Sequence, residues 1–349
     1  MNNGLILAVM RAMRKRKNSK IPVDILVIGT GNIAKRHIQN LQKLFPLKTI
    51  YVLKRSHLKI DKFFNKSGIK LISSLNRITA ANRRSLALIC SPAIYHVKDI
   101  KSSIDMGFNI FTEKPLMTRN QRISLLLEKL STKKLLTHVG YNMRFTNRIK
   151  YIKNKLLDKK IADIQGVEIV VYTDFRKWRK NKNYKDTVSF DKSLGGGVIN
   201  ELSHEVDYMI YLFGIPKSVK VLDISTHNLD SNVELNIKAS FNYRNKLDIS
   251  LCANMLSPSE KRLCTIVSKN NVIKIDHISN KIWSKNKKIT DIQFNDSNDD
   301  SYISEIKYIY KCLSKNIKSM LSVKSIIPTQ LVLNAMHSSL RQNRRIYIQ

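Results

Sequence analysis

Acidic residues are scarce: 26 Asp and Glu stand against 62 Lys and Arg in 349 residues, a formal net charge of +36. Taken alone, such an excess points to nucleic acid or an anionic membrane. The cations, however, run along the whole chain and are interleaved with Asn and Ile. That reads as a compositional bias laid over an ordinary fold, and nucleic acid is not the expected partner. Glycine (11) and proline (7) are sparse while 43% of residues are hydrophobic, which excludes a disordered chain. There are four cysteines, Cys90, Cys252, Cys264 and Cys312, too widely spaced for a metal clip or a redox pair. A reducing compartment is the simplest reading, and no metal is expected. No apolar run is long enough to span a bilayer. The apolar start, Gly4 to Met10, precedes its basic cluster Arg14 to Lys17, the reverse of a secretory signal. Residues 1–20 are therefore expected to be an extension, and the protein to be cytoplasmic.

What is present begins at Val23-Asp-Ile-Leu-Val-Ile28, a β-branched run that reads as a buried parallel strand. Gly29-Thr30-Gly31-Asn32-Ile33-Ala34 follows at once and opens a helical pattern. A G-x-G-x-x-A at a strand-to-helix turn brings backbone N–H groups and a positive dipole end to a pyrophosphate. Gly29, Thr30, Gly31, Asn32 and Ile33 are thus expected to hold a dinucleotide. The second strand, Lys48 to Leu53, ends in Lys54-Arg55-Ser56, with no acid to hold a ribose 2′-hydroxyl. Arg55 and Ser56 suit a 2′-phosphate, so NADP(H) is favoured and NAD(H) is the alternative.

Strand and helix then alternate, as in a doubly wound parallel sheet. Ser85 to Cys90 is a buried strand whose end, Ser91-Pro92, should border the cofactor crevice. Asn109 to Thr112 is another, ending in Glu113-Lys114-Pro115. A Lys at the end of a buried strand, followed by Pro, is well placed to hold a proton donor beside a cofactor. His138, in an apolar strand, reads as a core histidine. The domain boundary falls near Gly140 to Phe145, giving a Rossmann domain at 21–142 and a second domain at 143–349.

The second half carries longer strands joined by short polar turns, which predicts an α+β domain with an open, mostly antiparallel sheet. Its chemistry-bearing stretch is Gly195-Gly196-Gly197-Val-Ile-Asn-Glu201-Leu-Ser-His204-Glu-Val-Asp207. Three glycines permit close approach to another molecule. Glu201, His204 and Asp207 are spaced three apart, on one helical face. His204 can exchange a proton near neutral pH with Asp207 orienting it, or it can belong to a core hydrogen-bond network. Between the halves, the basic, aromatic run from Asp174 to Lys185, with Trp178, Arg179 and Tyr184, suits a loop beside an active site.

Five motifs in register, over about residues 22–215, resemble the Gfo/Idh/MocA family of oxidoreductases. They are Gly29 to Ala34, Ser91-Pro92, Glu113-Lys114-Pro115, Gly140-Tyr-Asn142-x-Arg144-Phe145 and Gly195-Gly-Gly-x₆-His204-x-x-Asp207. The resemblance implies hydride transfer between a nicotinamide and a hydroxyl-bearing carbon, with Lys114 and His204 as the catalytic pair. It also implies a Lys–Pro bond that is often cis, and a sugar, sugar acid or nucleotide sugar as substrate. On this reading Asn142, Arg144, Trp178, Arg179, Tyr184, Glu201 and Asp207 meet substrate. Ser91, Pro92, Glu113 and Lys114 join the cofactor turn. The family often has an Asp four residues before its His; here Glu201 stands three before His204, a departure that bears on the carboxylate's role. The run around the glycines looks most like members tied to surface-polysaccharide sugar metabolism. A homo-oligomer is expected. The rival class is a non-catalytic protein that keeps the fold to bind NADP or a polyanion.

Overall fold

The computed structural model describes residues 20–55, 61–118, 121–178, 183–224, 231–285, 291–297 and 299–348. The chain enters through β1 (Ile21–Val23) and β2 (Ile25–Ile28), and every residue of β2 is buried. An apolar run without alternation belongs to a strand covered on both faces. Then follow α1 (Asn32–Leu44), β3 (Ile50–Leu53), β4 (Ile69–Ile72), β5 (Ile78–Ala80), β6 (Leu86–Ile89), α2 (His96–Asp105), β7 (Asn109–Glu113), α3 (Ile123–Ser131) and β8 (Thr137–Gly140). Six strands form a parallel sheet in the order β4-β3-β2-β6-β7-β8, while β1 pairs only with β5. The strand order turns back between β2 and β6, so the crevice at their carboxyl ends is the topological switch point.

The second half runs α4 (Asn147–Leu157), β9 (Ile164–Asp174), α5 (Val198–Glu201), α6 (Ser203–Phe213), β10 (Ser218–Asp223), β11 (Asn236–Asn242) and β12 (Asp248–Asn254). It continues through β13 (Leu256–Ser268), β14 (Asn271–Asp276), β15 (Lys281–Ser284), β16 (Ile292–Gln293), α7 (Asp300–Lys315), α8 (Val323–Gln342) and β17 (Ile346–Tyr347). Nine strands make one sheet in the order β16-β15-β14-β13-β9-β12-β11-β10-β17. It is antiparallel except for the β9–β12 pair. Along β11, Ile237, Ala239 and Phe241 alternate inward and meet a core that includes Ile152 of α4, Met209 of α6 and Met336 of α8.

The last helices reach back to the first sheet. Ile306 and Ile309 of α7 pack with Ile25, Val27 and Leu41, and Leu321, Val323 and Ile326 pack with Leu26 and Ile28. The second half, read as one unit from 143 to the end, thus contributes a wall to the first core.

Several elements differ from the sequence reading. The sequence from about Asn76 reads as a helix, but the chain there makes a short turn, Leu75–Arg77, leading into β5. The sequence places the start of the last helix at about Pro328, but α8 begins at Val323, because Ser322 caps it by accepting from the Ser325 N–H. The single helix expected through His204 breaks at Leu202 into α5 and α6. Among the described residues, no helix is long and apolar enough to cross a membrane.

Candidate active site

The β2–α1 turn has the shape a pyrophosphate needs. Gly29 has φ +119, and a Cβ there would lie 2.6 Å from the carbonyl oxygen of Cys90, so only glycine lets β2 and β6 end this close together. Over Gly31 the reverse holds: a Cβ would meet nothing within 4 Å, and the space is open. α1 starts at Asn32 without a capping side chain. Open space, uncapped first-turn N–H groups and the positive end of the helix dipole fit a dinucleotide's phosphates over Gly29–Ile33.

Beside this turn, Arg55 follows the end of β3 and turns inward. Its Nη1 donates to Asp99 Oδ2 at 2.8 Å and its Nη2 donates to Asp99 Oδ1. Ser91, after β6, donates to the same Oδ2 at 2.6 Å. Pro92 leads into the short turn Ala93–Tyr95. Ser56 lies outside the described residues.

At the end of β7, the Lys114–Pro115 peptide is cis. Lys114 Nζ donates to the Glu201 carbonyl at 2.6 Å and lies 3.7 Å from Glu201 Oε2. Glu113 faces the other way. His37 of α1 donates to its Oε1 at 2.6 Å, and the Lys114 N–H donates to its Oε2 at 3.2 Å. One carboxylate therefore ties the helix of the phosphate turn to the backbone that carries Lys114.

His204 packs edge-on against Tyr141, ring centroids 5.8 Å apart, and its Nδ1 has no hydrogen-bond partner among the described residues. Burial first, then the charges of Lys114 and Arg262, push its pKa well below the usual histidine value. It is a neutral imidazole at physiological pH. His204 also borders a cavity of about 250 Å³ with Asn142, Arg262 and His277. A larger cavity, about 630 Å³, lies between Asp24, Phe45, Lys48 and Tyr310 at the amino ends of the parallel strands, away from this chemistry.

Arg144 and Asp207, expected at the substrate, meet each other instead. Arg144 Nε and Nη2 donate to the two Asp207 oxygens at 2.7 and 2.6 Å, and the Thr329 hydroxyl adds a third donor at 3.2 Å. Both residues are buried. This corrects the expectation that Asp207 orients His204, since its oxygens are already taken by Arg144 and Thr329. The glycine run is also corrected. It approaches its own chain: a Cβ at Gly196 would sit 2.3 Å from the Val188 carbonyl oxygen, and one at Gly197 2.7 Å from Glu234 Oε1.

Of the remaining expected residues, Asn142 donates to Ser301 at 2.8 Å. Trp178 Nε1 donates to Thr173 at 3.0 Å, leaving the ring partly exposed. The Tyr184 ring is packed by Phe175 and Phe190. Arg179 lies outside the described residues. His138 is fully buried, with Nδ1 on Ser319 and Nε2 on Glu305, as a core histidine should be. Burial pushes its pKa down to about 3 and pushes that of Glu305 well above its ordinary value.

Sequence reasoning missed Asp99 and His37. Both sit on the buried faces of amphipathic helices, Asp99 with His96 and Ile100, His37 with Ala34 and Ile38. A polar residue at an apolar position of the helical period was the available signal.

Known proteins resemble this chain in sequence and in fold. A curated oxidoreductase, P35, of Formosa agariphila is 22% identical over 73% of this chain and 84% of its own length. The NADP(+)-dependent scyllo-inositol 2-dehydrogenase IolW of Bacillus subtilis is 24% identical over 59% of this chain, which spans about half of that relative (55%). The solved WlbA dehydrogenase of Bordetella pertussis, in complex with NADH and UDP-GlcNAcA, shares the fold at a TM-score of 0.75 and 18% identity, covering 95% of this chain and 99% of its own. The model for the oxidoreductase family with an NAD-binding Rossmann fold matches residues 23–141, and that for the GFO/IDH/MocA C-terminal domain matches 149–273. With both domains matched over more than half its length, the chain belongs to the GFO/IDH/MocA oxidoreductases, a family of NAD(P)-dependent dehydrogenases.

Proposed function

We propose that this chain moves hydride between NADP(H) and a hydroxyl- or keto-bearing carbon of a sugar, sugar acid or nucleotide sugar. The observation that carries the reading is the contact of Lys114 with Glu201 at the carboxyl end of β7. The nicotinamide supplies or takes up the hydride when bound. The chain has to hold both molecules and manage one proton. The Gly29–Ile33 turn binds the phosphates, and the Glu113–His37 contact keeps Lys114 in register with that turn. In the reductive direction Lys114 Nζ donates a proton to the substrate oxygen while Glu201 balances its charge. In the oxidative direction the proton returns along the same atoms. His204, held neutral, hydrogen-bonds the reacting oxygen without competing for the charge. Proton management of this kind is worth about 10²–10⁴-fold.

The sugar class draws support from the relatives named above and from the partly exposed face of Trp178, which suits stacking on a sugar ring. NADP(H) is favoured because β3 ends without an acid and with Arg55. NAD(H) is the second reading, favoured by the NADH bound in WlbA. The test is a panel of sugars and nucleotide sugars with each cofactor, read by nicotinamide absorbance. Turnover on a member of the panel, stronger with NADPH than with NADH, is expected. A panel without turnover overturns the substrate class, and an NADH preference overturns the cofactor.

A further inference from the structure

α2 carries a carboxylate that no motif announces. Asp99 has no solvent exposure, yet three donors converge on it: Arg55 Nη1 at 2.8 Å, Arg55 Nη2, and Ser91 Oγ at 2.6 Å. One turn earlier, the His96 ring lies between two carbonyls, its Nε2 2.8 Å from that of Ser91 and its Nδ1 2.9 Å from that of Pro115, and donates to one of them. A single turn of α2 therefore ties together the chain just beyond β3, β6 and β7, the three strand ends around the cofactor crevice.

We propose that Asp99 is the positioning residue for recognition of a 2′-phosphorylated dinucleotide, holding the Arg55 guanidinium in the orientation that meets the phosphate. The inference rests on the NADP(H) reading above and adds a residue to it. A buried carboxylate left without its cation is costly, so Arg55 is held tightly to it. The fork grips Asp99 through its two terminal nitrogens, and Nε–H and the outer terminal N–H groups remain for a second acceptor. The Arg55 side chain stays 39% exposed while that of Asp99 is at 0%, so the anchored edge faces inward and the free edge faces solvent. A free arginine would instead have to be ordered when the phosphate binds, and that ordering weakens binding. Asp99 acts through Arg55 and does not touch the cofactor.

The test needs no substrate. Wild type, Asp99→Asn and Arg55→Ala are titrated calorimetrically with 2′,5′-ADP, which carries the 2′-phosphate, and with 5′-AMP, which lacks it. Wild type is expected to bind 2′,5′-ADP the more tightly. Asp99→Asn should weaken 2′,5′-ADP about 5–10-fold and leave 5′-AMP within about twofold. Arg55→Lys keeps the charge but cannot fork onto Asp99, and should give the same selective loss with the carboxylate in place. Tighter 2′,5′-ADP binding by Asp99→Asn would overturn the inference, because the carboxylate would then be masking Arg55. Equal weakening of both ligands would also overturn it, because Asp99 would then serve only the fold. If wild type does not prefer 2′,5′-ADP, the NADP(H) reading itself fails. If wild type prefers it, Arg55→Ala removes the preference and Asp99→Asn and Arg55→Lys keep it, only the role of Asp99 fails.

Discussion

Glu201 and Asp207 are carboxylates six residues apart on the consecutive helices α5 and α6, and the fold gives them opposite fates. Asp207 is buried and closed on three sides by donors from Arg144 and Thr329. Glu201 ends α5, keeps its side chain 20% exposed, and meets Lys114 with both its carboxylate and its carbonyl. The helix break between them accounts for part of this. With α5 ending at Glu201 and Leu202 as its cap, the Glu205 N–H goes to the Leu202 carbonyl, and the Glu201 carbonyl is left for Lys114. The break that accompanies the unusual three-residue spacing to His204 thus also creates an acceptor for the lysine. Position on a helical face does not assign a carboxylate its role; the elements that arrive opposite it do.

The comparison breaks most visibly through Lys114, the partner of the exposed carboxylate. Lys114→Met should lower turnover about 10²–10⁴-fold while NADPH binding, followed by fluorescence, is retained. Near-normal turnover would take Lys114 out of the mechanism. Asp207→Asn tests the closed carboxylate. It leaves Arg144 buried and uncompensated, and should cost about 3–5 kcal/mol of stability in a denaturant titration. A loss of turnover with unchanged stability would instead move Asp207 into the site.

A third carboxylate sharpens the contrast because it has no strong cation. Glu234 supports the start of α5, accepting from the Ile199 N–H at 3.3 Å and lying against Gly197. Burial pushes its pKa up from 4.5 to about 7, with Lys192 opposing only weakly. The folded state therefore holds this proton where the unfolded chain has lost it. Its contribution is fully present below pH 4.5 and is lost as pH rises through about 7. The span corresponds to about 3 kcal/mol. Glu234→Gln should flatten that part of the pH dependence of Tm, and an unchanged slope would assign it to other groups.

Much of the first sheet was legible because its signals are local. An unbroken apolar run, two glycines and a helical period lie within a few residues of one another from Val23 to Leu41. The partners of the site's buried groups were not legible, since they arrive from far along the chain. Asp99 meets Arg55 across 44 residues, His37 meets Glu113 across 76, and Lys114 meets Glu201 across 87. The glycine run shows the same limit. Its composition says that something passes close, and only the fold identifies Val188 and Glu234 as what passes. The strands β15, β16 and β17 carry little apolar pattern because they are only two to four residues long, and β16 and β17 are the two outermost strands of the sheet, where little such patterning is required.

The smallest expected effect tests the comparison most directly. Glu201→Gln keeps the shape and the backbone carbonyl that Lys114 uses, and removes only the charge at 3.7 Å. At 3.7 Å the two charges form an ion pair without a hydrogen bond, and a partly solvated pair of this kind is worth about 0.2–1 kcal/mol, or up to roughly fivefold in rate if it operates in the transition state. kcat should fall by that factor, with stability little changed because the side chain is partly solvated. The contrast with Asp207→Asn, stability lost in one and rate in the other, is what the two environments require. Should Glu201→Gln lose stability and keep its rate, Glu201 would be a second structural carboxylate, and Lys114 would be balanced by its backbone contact alone.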